Sequence, residues 1–282
     1  MKLDQSKAFF LITLFVFCSF IIFAQHTEAN GSKDTEETDL EQAGPAQSSA
    51  RLRMPPKEPD TWVDTLKKVF TVWIPRLLEG AQVTIGLTVL AVSAGLILSL
   101  FFALGKISKN IIINKLCSAY IFFFRGTPLL MQLYFVYYAL PMISPVLTIN
   151  SRFLAAFIAF TLNCAAYCAE IIRAAIQSID KGQFEASKAL GLSYPKTMRL
   201  VIIPQSIRRL IPPVGNEFIM MLKDASLVSM IALTDITKAT RGIESSTRSA
   251  LVYIPAMILY LIITAIFSFI FHKLEKKYSV YE

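Results

Sequence analysis

Charge is scarce in this sequence. Only 17% of its 282 residues are Asp, Glu, Lys or Arg, 54% are apolar, and the mean hydropathy is +0.53, which excludes an ordinary soluble domain and leaves a polytopic membrane protein. Cysteine is scarce too: Cys18, Cys117, Cys164 and Cys168 all lie in or beside apolar runs, which argues against a disulfide framework. Cys164 and Cys168 share a helix face at i, i+4, but with no further ligand beside them they read as packing residues, not a metal site. A phosphate-binding loop is missing as well. Gly105-Lys106 is the one Gly-Lys step, and it lacks the upstream glycine and the following Ser or Thr of G-x-x-x-x-G-K-[ST]. Energy from nucleotide hydrolysis would therefore have to come from another chain. Nor does the helix pattern recur as a second copy, which argues against the inverted repeat of many gradient-driven carriers.

What is present is a series of apolar runs near the ~20 residues that a spanning helix needs: residues 8–24, 81–104, 116–140, 153–176, 211–234 and 250–271. The expected fold is all-α, with five core helices over 81–277 and one N-terminal helix standing apart. Lys2 and Lys7 precede the first run, no A-x-A site follows it, and Cys18 lacks the small residue expected before a lipid-modified cysteine. Residues 1–24 therefore read as a signal anchor in preference to a cleaved signal peptide. Residues 25–60 are acidic, rich in Ser and Thr and nearly free of large apolar side chains, too little to offset ordering entropy, and they predict a flexible extracytoplasmic linker. Over 61–80, Trp62, Val63, Leu66, Val69, Phe70 and Trp73 recur at helical spacing opposite Lys67 and Lys68. That predicts an amphipathic interfacial helix anchored by both tryptophans.

The net charge of +8 does not point to nucleic acid, because the basic residues sit in short segments between apolar runs, where they set orientation. Lys106, Lys109 and Lys115 mark one cytoplasmic segment. Lys181, Lys188, Lys196, Arg199, Arg208 and Arg209 mark a second, and Lys273, Lys276 and Lys277 place the C-terminus inside. One outer loop, 235–249, runs against the bias: Lys238, Arg241 and Arg248 outnumber Asp235 and Glu244.

The second cytoplasmic segment, about 180–210, is too long for a simple connection. Its stretch EASKALGLSYPKTMRLVIIPQS, residues 185–206, predicts a short helix, a tight turn at Gly191, a second short helix begun at Pro195, and a break at Pro204 that redirects the chain to the membrane. Glu185-Ala186-Ser187, three residues, Gly191, nine residues and then Val201-Ile-Ile-Pro204 resemble the EAA loop of ABC importer membrane subunits of the type I (MetI-like) fold. FRGTPLLMQLYFVYYALP (124–141), NCAAYCAEIIRAAIQSIDKGQFEASKALGLS (163–193) and IPPVGNEFIMMLKDASLVSMIAL (211–233) resemble, more narrowly, the polar amino-acid permeases. The likeness covers about residues 65–277. Ser187, Val201 and Ala174 stand where the family usually has alanine, isoleucine and often glycine.

The resemblance implies a multi-pass inner-membrane permease, not an enzyme, for polar amino acids of the glutamine, glutamate, arginine or histidine class. It implies that Glu185, Ala186, Ser187, Gly191 and Pro204 dock an ABC ATPase subunit. This chain would bind no cofactor; ATP and magnesium would belong to the partner. A second permease subunit, identical or homologous, and an extracytoplasmic amino-acid-binding protein complete the expected assembly. The alternatives are an ABC permease for another small solute and an ion-coupled secondary transporter.

Charges at bilayer depth cost about 2.5–3.5 kcal/mol even on insertion scales, so each needs a reason. Asn216 and Lys223 share one face of the 211–234 run, and Glu217 and Asp224 a neighbouring one. These four are the first candidates to line a substrate path, or else to lock the assembly. Asn163, Tyr167 and Glu170 follow a similar face and are the second choice, with Glu170 and Arg173 spaced i, i+3 for an ion pair. Thr127 and Pro128 predict a helix start, Thr127 as its cap.

Overall fold

The computed structural model describes residues 61–278; the anchor and linker expected over 1–60 lie outside them. The described chain falls into two units, one ending at Val72 and one beginning at Trp73. In the first, α1 (Trp62–Lys68) leaves Trp62, Val63 and Leu66 exposed, and a π-helical turn, Val69–Trp73, follows it. Trp62 is 78% exposed but Trp73 only 2%. Of the two tryptophans expected as surface anchors, Trp73 is therefore a packing residue.

The second unit is helical, and no strand occurs among the described residues. Its elements in order are α2 (Ile74–Ile107), α3 (Ile111–Gly126), α4 (Leu129–Ile143), α5 (Arg152–Gln177), α6 (Lys181–Ala189), α7 (Tyr194–Thr197), α8 (Ile203–Asp224), α9 (Ile236–Thr247) and α10 (Tyr253–Tyr278). Side-chain caps set several starts: Asn110 accepts from the Ile112 and Ile113 amides, Ser151 from Leu154, Asp180 from Gly182 and Asp235 from Thr237 and Lys238.

The helices containing α2, α5 and α10 are long and apolar enough to cross a membrane, and α3 and α4, bent by 104° at their junction, meet that length and composition only when taken together. The run at 116–140, expected as one helix, is thus broken. Thr127 precedes Pro128 and takes an extended conformation, φ −111° and ψ 145°, as the proline ring requires of its neighbour. Thr127 does not cap α4 as expected: its hydroxyl donates back to the Phe123 carbonyl at 2.8 Å. The fifth core helix, α8, carries Arg208, Arg209, Glu217, Lys223 and Asp224 and packs against α5 and α10. The run at 211–234 does not correspond to one helix, since α8 begins at Ile203 and gives way to a 3-10 segment, Ala225–Ile231.

At the centre stands α5, with 67% of its most apolar window buried, against 11% for α10. Small residues make that possible. Ala155, Ala156, Ala159, Cys164 and Cys168 are fully buried or nearly so, and a Cβ on Gly95 of α2 would come within 2.9 Å of Cys164. The two cysteines lie with their sulfurs 3.7 Å apart, as core residues at a helix crossing.

Candidate functional site: the elbow and the broken span

The polar interval folds as an elbow of α6 and α7. The Asp180 carboxylate accepts from the Gly182 amide at 2.6 Å and starts α6. At the other end, the Leu192 amide donates to the Ser187 carbonyl at 3.0 Å and the Gly191 amide to Lys188 at 3.0 Å. This is a Schellman closure, which needs a left-handed residue between its two bonds. Gly191 supplies it with φ +73° and has nothing within 4 Å of where a Cβ would sit. The turn is thus demanded by backbone conformation, not by crowding.

Glu185 and Ala186 are exposed on α6, while Ser187 is buried and its hydroxyl donates to the Gln183 carbonyl at 2.7 Å. Pro204 does not break the second short helix. A π-helical turn, Met198–Ile202, carries α7 onward into α8, and Pro204 lies just past this widened turn, where the ladder is already disturbed. Arg209 donates to the Ser178 carbonyl, and Gln205 to Gln183 at 3.2 Å, tying the start of α8 back to the start of the elbow. The apolar side chains around Gly191 face outward: Leu190 is 81% exposed and Tyr194 64%.

The second site is the break between α3 and α4, which strands backbone carbonyls inside the molecule. Gln132 Nε2 donates to the Phe124 carbonyl at 2.9 Å, the Thr127 carbonyl at 3.1 Å and the Thr127 hydroxyl at 2.8 Å. Asn163 Nδ2 donates to the Phe124 carbonyl at 3.2 Å and to Gln132 Oε1 at 3.0 Å. Asn163 is 6% exposed. It fastens the break to α5, so its amide is committed. Beside it the Arg125 guanidinium lies over the Tyr167 ring, 5.3 Å from the centroid, a cation–π placement.

Glu217 lies within electrostatic reach of both Arg125 and Asp224. Glu217 and Asp224 are half-buried, Asn216 and Lys223 exposed. Among the described residues, none of these four side chains makes a hydrogen bond or an ion pair. Glu170 stands apart from them. Lys106 Nζ donates to its Oε2 at 2.7 Å and Arg173 Nε to its Oε1 at 3.0 Å, and Arg173 also reaches Gln177. The expected i, i+3 pair is present, extended by Lys106 from the end of α2. Among the described residues no cluster of His, Cys, Asp or Glu is arranged to hold a metal ion.

Residues 95–280 match the family model described as binding-protein-dependent transport system inner membrane component. The chain belongs to this family. Over 212 residues this transport-system membrane component is 39% identical to the glutamine transport system permease protein GlnP of Escherichia coli (strain K12), covering 74% of this chain and 96% of the relative. It is also 39% identical to the L-cystine transport system permease protein TcyB of Bacillus subtilis (strain 168) over 209 residues, 73% of this chain and 88% of the other. Among solved structures it resembles an amino acid ABC transporter with histidines, with TM-score 0.71 and 38% identity over 78% of this chain and 99% of that one. The MetNI methionine ABC transporter, 19% identical with TM-score 0.62 over 73% of this chain and 97% of that one, shares the fold. The membrane component is thus a MetI-like ABC transmembrane domain: a permease subunit, not an enzyme, whose ATPase is a separate subunit.

Proposed function

We propose that this permease imports polar amino acids of the glutamine or cystine kind, driven by an ABC ATPase that docks on the elbow. The observation that carries the reading is the elbow itself, a rigid turn closed by Gly191 with Leu190 and Tyr194 exposed beside Glu185 and Ala186. Exposed apolar side chains on a polar projection are what a protein groove can take up. ATP and magnesium then belong to the partner. A second permease subunit encloses the path, an extracytoplasmic binding protein delivers the substrate, and the elbow and C-terminus face the cytoplasm.

The path runs along the polar face of α8. Glu217 and Asp224 supply negative charge, Lys223 and Arg125 positive charge, with Asn216 and Tyr167 beside them, so both charges of an amino acid find a counterpart. That no hydrogen bond or ion pair holds Asn216, Glu217, Lys223 or Asp224 among the described residues supports this assignment, because charges in a membrane helix are costly unless opposite charge, a wet path or a ligand meets them. Asn163 and Glu170 have partners of their own and serve the path by holding the break and the inner helix ends. Proteoliposomes containing permease, ATPase and binding protein should take up glutamine or cystine with ATP, and Asp224→Asn should cut that uptake several-fold with normal insertion. Uptake that needs no ATP and collapses with the proton or sodium gradient would overturn the reading.

A further inference from the structure

The helix that leads into the elbow is α5, and α2 runs beside it through small side chains. Gly95 lies against Cys164, and closer to the elbow Ala103 and Ala169, both fully buried, pack in one cluster with Ile121 and Ile172. Contact of this kind is attractive without being directional, so by itself it lets one helix slip along the other. Next to this cluster the chemistry changes. Lys106 Nζ donates to Glu170 Oε2 at 2.7 Å, and Arg173 Nε donates to the other oxygen of the same carboxylate at 3.0 Å. The Lys106 and Glu170 side chains are only 24% and 20% exposed, which spares the pair much of the screening that makes surface ion pairs weak. Charge-assisted bonds are short and directional. They fix the register of α2 on α5 where apolar packing does not.

Both members of the pair are fastened to further elements. The Asn114 side-chain amide donates to the Lys106 carbonyl, which ties the start of α3 to the end of α2. Arg209 donates to the Ser178 carbonyl, which ties α8 to the end of α5, and α6 begins at Lys181, about three turns beyond Glu170. The far end of α2 is held as well: the Ile236 amide donates to Thr84 Oγ1 at 3.5 Å, and a Cβ on Gly80 would meet the Asp235 backbone at 2.6 Å. From Ile74 to Ile107 α2 is one unbroken helix, about 51 Å long. Displacement of the end of α5 is thus carried along α2 to α9 for as long as Lys106 keeps its grip on Glu170.

We infer that the Lys106–Glu170 pair is the link through which movement of the elbow is passed to α2, keeping ATP hydrolysis and substrate movement in step; the inference rests on the transport reading above. Lys106 and Glu170 act here as positioning residues, through the helices they join. The test uses proteoliposomes holding permease, ATPase and binding protein, with radiolabelled glutamine and, in parallel, cystine as probes, and its readout is uptake per ATP hydrolysed. Lys106→Met should lower that ratio about five-fold while hydrolysis continues. Lys106→Arg, which can still donate to the Glu170 carboxylate, should restore most of it. Glu170→Gln should uncouple in the same way, and the double variant Lys106→Met with Glu170→Gln should be no worse than the more severe single one, because the two residues form one interaction. A ratio that stays at the wild-type value would overturn the inference, including the case in which uptake and hydrolysis fall together, as they would if the pair only stabilised the fold. Additive losses in the double variant would overturn it too. A wild type that takes up neither amino acid with ATP would instead count against the transport reading itself.

Discussion

Gly191 shows how much a single residue can decide by its backbone alone. Its φ of +73° closes α6 with two backbone hydrogen bonds, and nothing crowds the position, so a side chain there is resisted only by the cost of the left-handed region, about 1–2 kcal/mol and more for a β-branched residue. Gly191→Val should leave the permease inserted but loosen the elbow and lower the ATPase retained in mild detergent; wild-type retention would contradict this role. Asn163 teaches the opposite lesson. A polar residue inside an apolar run was legible as meaningful, but its partners were not, because the carbonyls it meets are exposed only by a break 39 positions away along the chain. Asn163→Leu should weaken the lock on that break by about 1–3 kcal/mol, read as a melting point lower by several degrees in detergent. Glu170 and Arg173 could be paired from spacing alone; Lys106, 64 positions off, could not.

The elements divide by how local their causes are. The order of apolar runs gave the core helices, because burial in lipid imposes length and composition directly. The ends of those runs were less reliable. Pro128 splits one run in two, since it forces Thr127 out of the helix, whereas Pro204 breaks nothing because it follows a widened π-helical turn, Met198–Ile202. The same residue type has opposite effects according to its position along a helix. The 235–249 segment, expected as an outer loop, contains the helix α9, held by a close crossing that hydropathy does not register. A Cβ on Gly80 would lie 2.6 Å from the Asp235 carbonyl group. Gly80→Leu should push α9 from α2, expose the 235–249 segment to added protease and reduce thermal stability; unchanged protection would show that the crossing has room to spare.

For the molecule as a whole, fold and family were legible because three motifs occur in the family's order, and the family match and the helical structure agree with them. The path was less legible. The face of α8 could be drawn from spacing, but the nearness of Arg125 to Glu217 and the partners of Asn163 and Glu170 depend on contacts between distant helices. The central claim is that the chain has no energy source of its own and borrows one through the elbow. Purification of the tagged permease from its native membrane in mild detergent, with mass spectrometry of its companions, tests this most directly. The account predicts recovery of an ABC ATPase subunit, lost when Gly191 is replaced by valine. Its repeated absence from an intact, folded permease would contradict the account.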